Sequence, residues 1–287
     1  MSLRVIQIGT DSAWREAAVN GWRKFGVPEG GPFDRESWAW CCALGDSVRA
    51  IEIGPFGGIF LAESRVSVAL TGAARPVRIA DRSYGNGCHT VEPGETLQLG
   101  APTSGARSYL VPYQSPLPSS CGLVATPVRR GDMLDGGVRP HVLLGEQPRS
   151  LSHVAIRVVL GPQHPIFDVA SFLDAEWEIG LAADRTGLRL SGPQVNTREP
   201  WGDRPSEPQV TGTIQITSGG TPIVIGPDGP TIGGYPKIAV VIDADRDRLG
   251  QVKPGDRLRF RQIEIDDARA LRREYHARLR QAFAARS

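Results

Sequence analysis

Short β-rich runs separated by Gly/Pro turns recur along nearly the whole chain, and they constrain the fold more than any other feature. They include "LRVIQIG" (3–9), "RVSVALTG" (65–72), "PVRIAD" (76–81), "TLQLG" (96–100), "RSYLVPY" (107–113), "AIRVVLG" (155–161), "GLRLSG" (187–192), "GTIQIT" (212–217), "PIVIG" (222–226), "KIAVVID" (237–243) and "RLRFRQIEI" (257–265). Runs of this length between turn signals are strands. A chain made of so many short strands must close or cover its sheet edges, and barrels do this with least exposed edge. Helical periodicity is confined to three places: 34–46, with Asp34 as N-cap and Gly45 as stop; 164–174; and a terminal helix over 266–287. On that last helix Leu271, Tyr275, Leu279 and Phe283 recur at helical spacing, which predicts a docking face onto the sheet or onto a partner.

One internal echo bears on domain organisation. "VEPGETLQL" (91–99) and "VKPGDRLRF" (252–260) share a turn-then-strand pattern. With 287 residues there is room for two domains. The Gly/Pro/polar stretch 135–153 suits a linker between them. We expect a mainly β chain with one barrel over 1–150 and a second over 151–287.

Composition excludes several classes. Apolar residues make up 40% and charged residues 22% of the chain, as in a soluble globular protein. The net charge is +2 without a basic block, which argues against nucleic-acid binding. No apolar run reaches a membrane span, and no signal peptide is visible. Cys41, Cys42, Cys88 and Cys121 form no CxxC pair and no spaced Cys/His set, so no metal site is expected. The expectation is a cytoplasmic chain with reduced thiols. The adjacent Cys41 and Cys42 lie beside Trp38 and Trp40 and read as packing. The five histidines stand in no catalytic pattern.

The residues that could carry chemistry sit in loops. Lys24, Lys237 and Lys253 are the only lysines. Lys237 and Tyr235 both fall in "PDGPTIGGYPKIAVV" (227–241), either a hairpin that needs its glycines or a binding loop held out by a scaffold. Gly loops bring backbone amides close to an anion. Asp184, Arg185 and Arg189 in "ADRTGLRLSGP" (183–193) could hold a carboxylate, or could be surface pairs of little consequence. Gln215 lies opposite Ile214 and Ile216 on its strand, either facing a barrel interior, where it needs partners, or facing solvent. "FGVPEGGPFDRES" (25–37) is either a turn before a capped helix or a second loop of the binding type.

Taken together, "GVPEGGPFDRES", "ALGD", "AIEIG", "TGA", "DRTGLRLSGP", "SE…TGTIQI", "TPIVIGPDGPTIGGYPKIAVVIDAD" and "LGQVKPGDRLRFR" run in order from Gly26 to Arg261. In this the chain resembles the biotin-dependent carboxyltransferase-like family. That family includes the C-type subunit of 5-oxoprolinase, also called allophanate hydrolase subunit 2, and part of urea carboxylase. The resemblance implies two cyclophilin-like β-barrel domains with a C-terminal helix. It also implies partner subunits of the A and B type, a small amide or lactam substrate, and ATP used at the level of the complex. A carboxyltransferase role would instead place biotin on another chain, and a third reading is a regulatory binding protein without catalysis.

Carried over position by position, the resemblance implies Asp184, Arg189, Asp228 and Lys237 as catalytic. It implies Asp34, Arg35, Arg185, Glu207, Gln215, Thr231, Gly233, Gly234, Tyr235 and Pro236 as substrate-binding. In these roles Lys237 and the Gly233–Gly234 amides hold an anionic oxygen, Arg189 holds a carboxylate, and Asp228 or Asp184 orients an amide N–H. Where relatives usually carry Ala-Asn, this chain has Trp40-Cys41. Asp46 stands where Asn is usual, Pro208 where Gly is usual, and the 111–134 loop is shorter and altered.

Overall fold

A computed structural model describes residues 1–116, 125–140, 142–143, 154–198 and 205–284. The fold is mainly β, as the strand runs predict, and ends in a helix. Two compact units form. One comprises Met1–Ala17, Asp34–Ser150 and Ala277–Ser287, the other Ala18–Phe33 and Leu151–His276.

The second unit is a closed seven-stranded barrel. Its strands run in the order Val154–Leu160, Lys237–Val241, Thr213–Ile216, Pro222–Ile225, Gly187–Ser191, Trp177–Ile179 and Arg257–Gln262. The last strand pairs parallel with the first, Val154 opposite Leu258 and Val158 opposite Gln262, and this pairing seals the cylinder. The period of two puts one set of side chains inside. Ile156, Val158, Leu188, Leu190, Ile214 and Ile216 are buried in one core with Trp177, Phe172 and Phe260. Phe172 stacks on Phe260 at 4.9 Å between ring centroids, and Trp177 Nε1 donates to Phe172 O at 3.1 Å.

The first unit carries a six-stranded and a seven-stranded sheet. Leu3, Phe60, Val68, Leu70, Leu97 and Leu110 belong to its main core. The helix Arg35–Leu44 lies on the larger sheet, where Trp38, Cys41 and Cys42 pack with Ala69, Tyr109 and Val111. Asp34 caps this helix and Gly45 ends it. Cys41, Cys42 and Cys88 are buried and form no disulfide, and burial pushes Cys41 and Cys88 up. They pack, as their neighbours predict; Cys121 lies outside the described residues.

The internal echo is real at the level of turns. Glu92 N–H donates to the Glu95 carboxylate and Lys253 N–H to that of Asp256, both at 2.9 Å. In each turn the backbone N–H of the fourth residue returns to the carbonyl of the first, and Gly94 and Gly255 take φ of 82° and 88° at the third place. A third copy occurs at Arg129–Asp132, with Gly131 at φ 93° and Arg129 N–H donating to Asp132 at 2.8 Å. That copy lacks the proline that marks the other two.

One helix expectation changes and another is resolved. The segment 164–174 breaks into the 3-10 turn His164–Ile166 and the helix Val169–Asp174. Asp168 starts the helix afresh, its side chain accepting from Ser171 N at 3.3 Å and from Ser171 Oγ at 2.6 Å. The terminal helix spans Ile265–Ala284, and two residues of its predicted stripe, Tyr275 and Leu279, dock within the chain, the first of the two alternatives. Tyr275 is buried and donates through its hydroxyl to Asp247 at 2.6 Å, and Leu279 packs on the Trp38 cluster. The Phe283 side chain lies outside the described residues. No helix among the described residues is long and apolar enough to cross a membrane.

Candidate functional site

The scarce lysine is where the second unit gathers its polar groups. Lys237 opens the strand Lys237–Val241 directly after the glycine turn, so its stem is buried along the barrel wall. Its Nζ lies 2.9 Å from Glu207 Oε2. The lysine side chain is 7% exposed and that of Glu207 42%, so the pair straddles the surface with its cation inside. Glu207 is brought there by the two-residue strand Glu207–Pro208, which pairs Glu207 with Gly233.

Gln163, which no sequence pattern singles out, binds both members. Its Oε1 accepts from Lys237 N at 3.0 Å and its Nε2 donates to Glu207 Oε2 at 3.0 Å. Gln163 N in turn donates to Lys237 O at 3.3 Å. The one signal in the sequence is the Gly161-Pro162 turn before it. At Gly161 a Cβ would stand 2.4 Å from Lys237 O, so only glycine lets this turn lie against the lysine.

Gln215 answers its two alternatives with a third arrangement. Ile214 and Ile216 enter the barrel core, so Gln215 points out of the barrel. It is nevertheless buried, because the glycine loop folds over it, and its Nε2 donates to Tyr235 O at 3.2 Å. A Cβ at Gly233 would meet Gln215 Nε2 at 2.5 Å and Gln209 Oε1 at 2.8 Å. Gln209 is buried and its Nε2 donates to Pro230 O at 3.0 Å and Ile232 O at 3.3 Å, which holds the loop's near side. Thr231 is buried and accepts Gln209 N–H through its carbonyl, while Pro236 O accepts from Ile216 N. Tyr235 stands exposed at the rim beside Gly234.

The stretch 18–33 supports the same loop. Arg23 donates through Nε to Gln209 O at 3.2 Å, and burial pulls its guanidinium down from its ordinary value. Gly30 N–H donates to Pro227 O at 3.0 Å. Arg185 holds Asp228 by two bonds of 2.8 Å each and reaches Gly31 O at 2.6 Å.

Other predicted residues stand elsewhere. Asp184 is exposed, and its Oδ1 accepts from Thr186 N at 2.7 Å and Gly187 N at 3.0 Å, which shapes its own turn. Arg189 is exposed on the outer wall, between the core residues Leu188 and Leu190. Asp34 and Arg35 belong to the first unit. Asp34 is buried and accepts from Ser37 N at 2.9 Å and Ser37 Oγ at 2.6 Å. Its N–H donates to Tyr109 Oη at 2.9 Å, and that hydroxyl donates to the buried Glu52 at 2.7 Å.

Residues 25–114 and 118–262 match the family model of the carboxyltransferase domain, subdomains A and B. The chain belongs to this family. The match covers both units. Among curated relatives, it is 28% identical to the C-type subunit of 5-oxoprolinase from Escherichia coli over 95% of this chain and 94% of that protein. It is 30% identical to the corresponding protein of Haemophilus influenzae over 88% and 89%. Urea amidolyase of Saccharomyces cerevisiae is 28% identical over 88% of this chain, which spans only 16% of that protein. In fold, the structure superposes on urea carboxylase of Kluyveromyces lactis with a TM-score of 0.85 and 22% identity, over 98% of this chain and 29% of that one.

Proposed function

We propose that this chain is a subunit of an ATP-dependent 5-oxoprolinase-type complex, working with A-like and B-like partner subunits to open 5-oxoproline to glutamate. The observation that carries the reading is similarity to the C-type subunit of 5-oxoprolinase along nearly the full length of that protein. Opening a lactam puts negative charge on the carbonyl oxygen, and donors aimed at that charge lower the barrier. In this reading Lys237 is the catalytic donor. Its ammonium carries three N–H groups, one of which goes to Glu207. The Gly233–Gly234 amides add neutral donors beside it. Tyr235 at the rim covers the ring, and the Arg185–Asp228 pair keeps the loop in place. ATP acts at the level of the complex.

A carboxyltransferase role is the second reading, favoured by the family match itself. It uses the same lysine to hold the urea or amide oxygen, with biotin carried on another chain.

Co-purification with the products of neighbouring genes, followed by an assay for ATP-dependent glutamate release from 5-oxoproline, separates the readings. Release that needs all chains and is lost in Lys237→Met supports the first. A complex that contains a biotinylated chain and carboxylates an amide supports the second. A chain that forms no complex overturns both and points to a regulatory binding protein.

A further inference from the structure

We propose that Gln163 is the positioning residue of the Lys237 site, acting on the lysine through Glu207. The inference rests on the reading of Lys237 as the working cation, but its geometry stands by itself. One carboxylate oxygen, Glu207 Oε2, receives two donors: Lys237 Nζ at 2.9 Å and Gln163 Nε2 at 3.0 Å. Glu207 sits on a two-residue strand and its side chain is 42% exposed, so hydration competes for it. A rim carboxylate paired with one ammonium and open to water would swing between bound and free positions. The amide of Gln163 biases that equilibrium. Its other end is pinned, since Oε1 accepts from Lys237 N at 3.0 Å and Gln163 N donates to Lys237 O at 3.3 Å. Gln163 therefore measures the position of Glu207 from the lysine's own backbone, and keeps the carboxylate seated over Nζ. Removing the donor loosens the seat of Glu207 over Nζ, so the ammonium is uncovered for a larger share of the time.

The chain has three lysines, so the state of Lys237 can be read directly. Brief acetylation with an amine-reactive ester, quantified by peptide mass spectrometry, gives a rate at Lys237 relative to the exposed Lys24. Gln163→Met keeps the volume but removes both side-chain hydrogen bonds. It is expected to raise the relative rate at Lys237 about tenfold, the factor that corresponds to one lost hydrogen bond. Glu207→Gln is expected to raise it at least as much. Because Gln163 acts through Glu207, adding Gln163→Met to Glu207→Gln should give no more than about a twofold further rise. An unchanged rate in Gln163→Met overturns the proposal. So does a tenfold rise that persists in the Glu207→Gln background, which would mark Gln163 as packing on the lysine by itself. The readout uses no substrate. A rise at Lys237 without any loss of glutamate release in the assembled complex would leave the positioning role standing and overturn the function proposed for the site.

Discussion

The Lys237 ammonium lies 2.9 Å from Glu207 Oε2, with the cation buried and the carboxylate open to solvent. The asymmetry sets what substitution does. Lys237→Met keeps the buried stem and leaves a carboxylate that water can reach, so folding stability should change by less than about 1.5 kcal/mol. Glutamate release by the complex should fall by at least about a hundredfold, as for loss of one oxyanion donor. Urea unfolding and the coupled assay check the pair of outcomes. Retained turnover in a folded variant would remove Lys237 from the mechanism.

Gly161→Ala should be destabilising because the residue lies against the backbone of Lys237 and Ala239. Its Cβ would meet Lys237 O at 2.4 Å, and a backbone carbonyl cannot rotate out of the way as a side chain can. A loss of about 1–3 kcal/mol in urea unfolding is expected, as for overpacking. A neutral result would mean the 161–163 turn yields freely.

Asp245→Ala should cost about 3 kcal/mol, as for breaking a buried pair. Asp245 is buried and accepts from Arg157 N at 2.8 Å, Nε at 2.9 Å and Nη2 at 2.6 Å. Removing the carboxylate strands a guanidinium and a backbone N–H. Arg157→Met in the same background should recover part of the loss, which a double-mutant cycle by chemical unfolding would read.

Stability should decline at alkaline pH. Burial pushes the Cys41 and Cys88 thiols and the Tyr109 phenol upward, Tyr109 further because of Glu52 and Asp34. Their charged forms are favoured in the unfolded chain. Their contribution is whole below the ordinary thiol value of 9.0 and is lost as pH rises past 9.0 and then past 10.0. Arg75 opposes this at higher pH: burial pulls it down to about 10, as burial also lowers Arg23 and Arg49, so above that the unfolded chain holds these protons longer and stability gains. Below about pH 10 the thiols titrate first, so the net slope there is negative. Urea midpoints between about pH 7 and 10 should fall, and Cys41→Ala with Cys88→Ala should flatten the first part of that fall.

The strand runs, the Asp34 cap with its Gly45 stop, and the paired turns at 92–95 and 253–256 were all legible in the sequence. Each rests on neighbours along the chain: β-branched alternation, a short acceptor side chain before a helix, a glycine that must take positive φ. The third turn at 129–132 escaped because its proline is missing, although the Gly-Asp pair that makes its bonds is present. The broken segment 164–174 escaped because apolar spacing does not reveal that Asp168 begins a new helix.

The sequence by itself determined the chemistry at hand: a single lysine in a glycine turn, a Glu before a strand, a Gln on the next. Tertiary structure decided which of these meet. Glu207 and Lys237 are thirty residues apart and Gln163 lies seventy-four before the lysine, so only barrel closure brings them within hydrogen-bond reach. It also decided that Gln215 is covered although it points out of the barrel, and that residues 18–33 pack with the second unit. Local pattern records what a residue does for its own turn or strand; a bond across the barrel leaves no trace in the residues on either side of it.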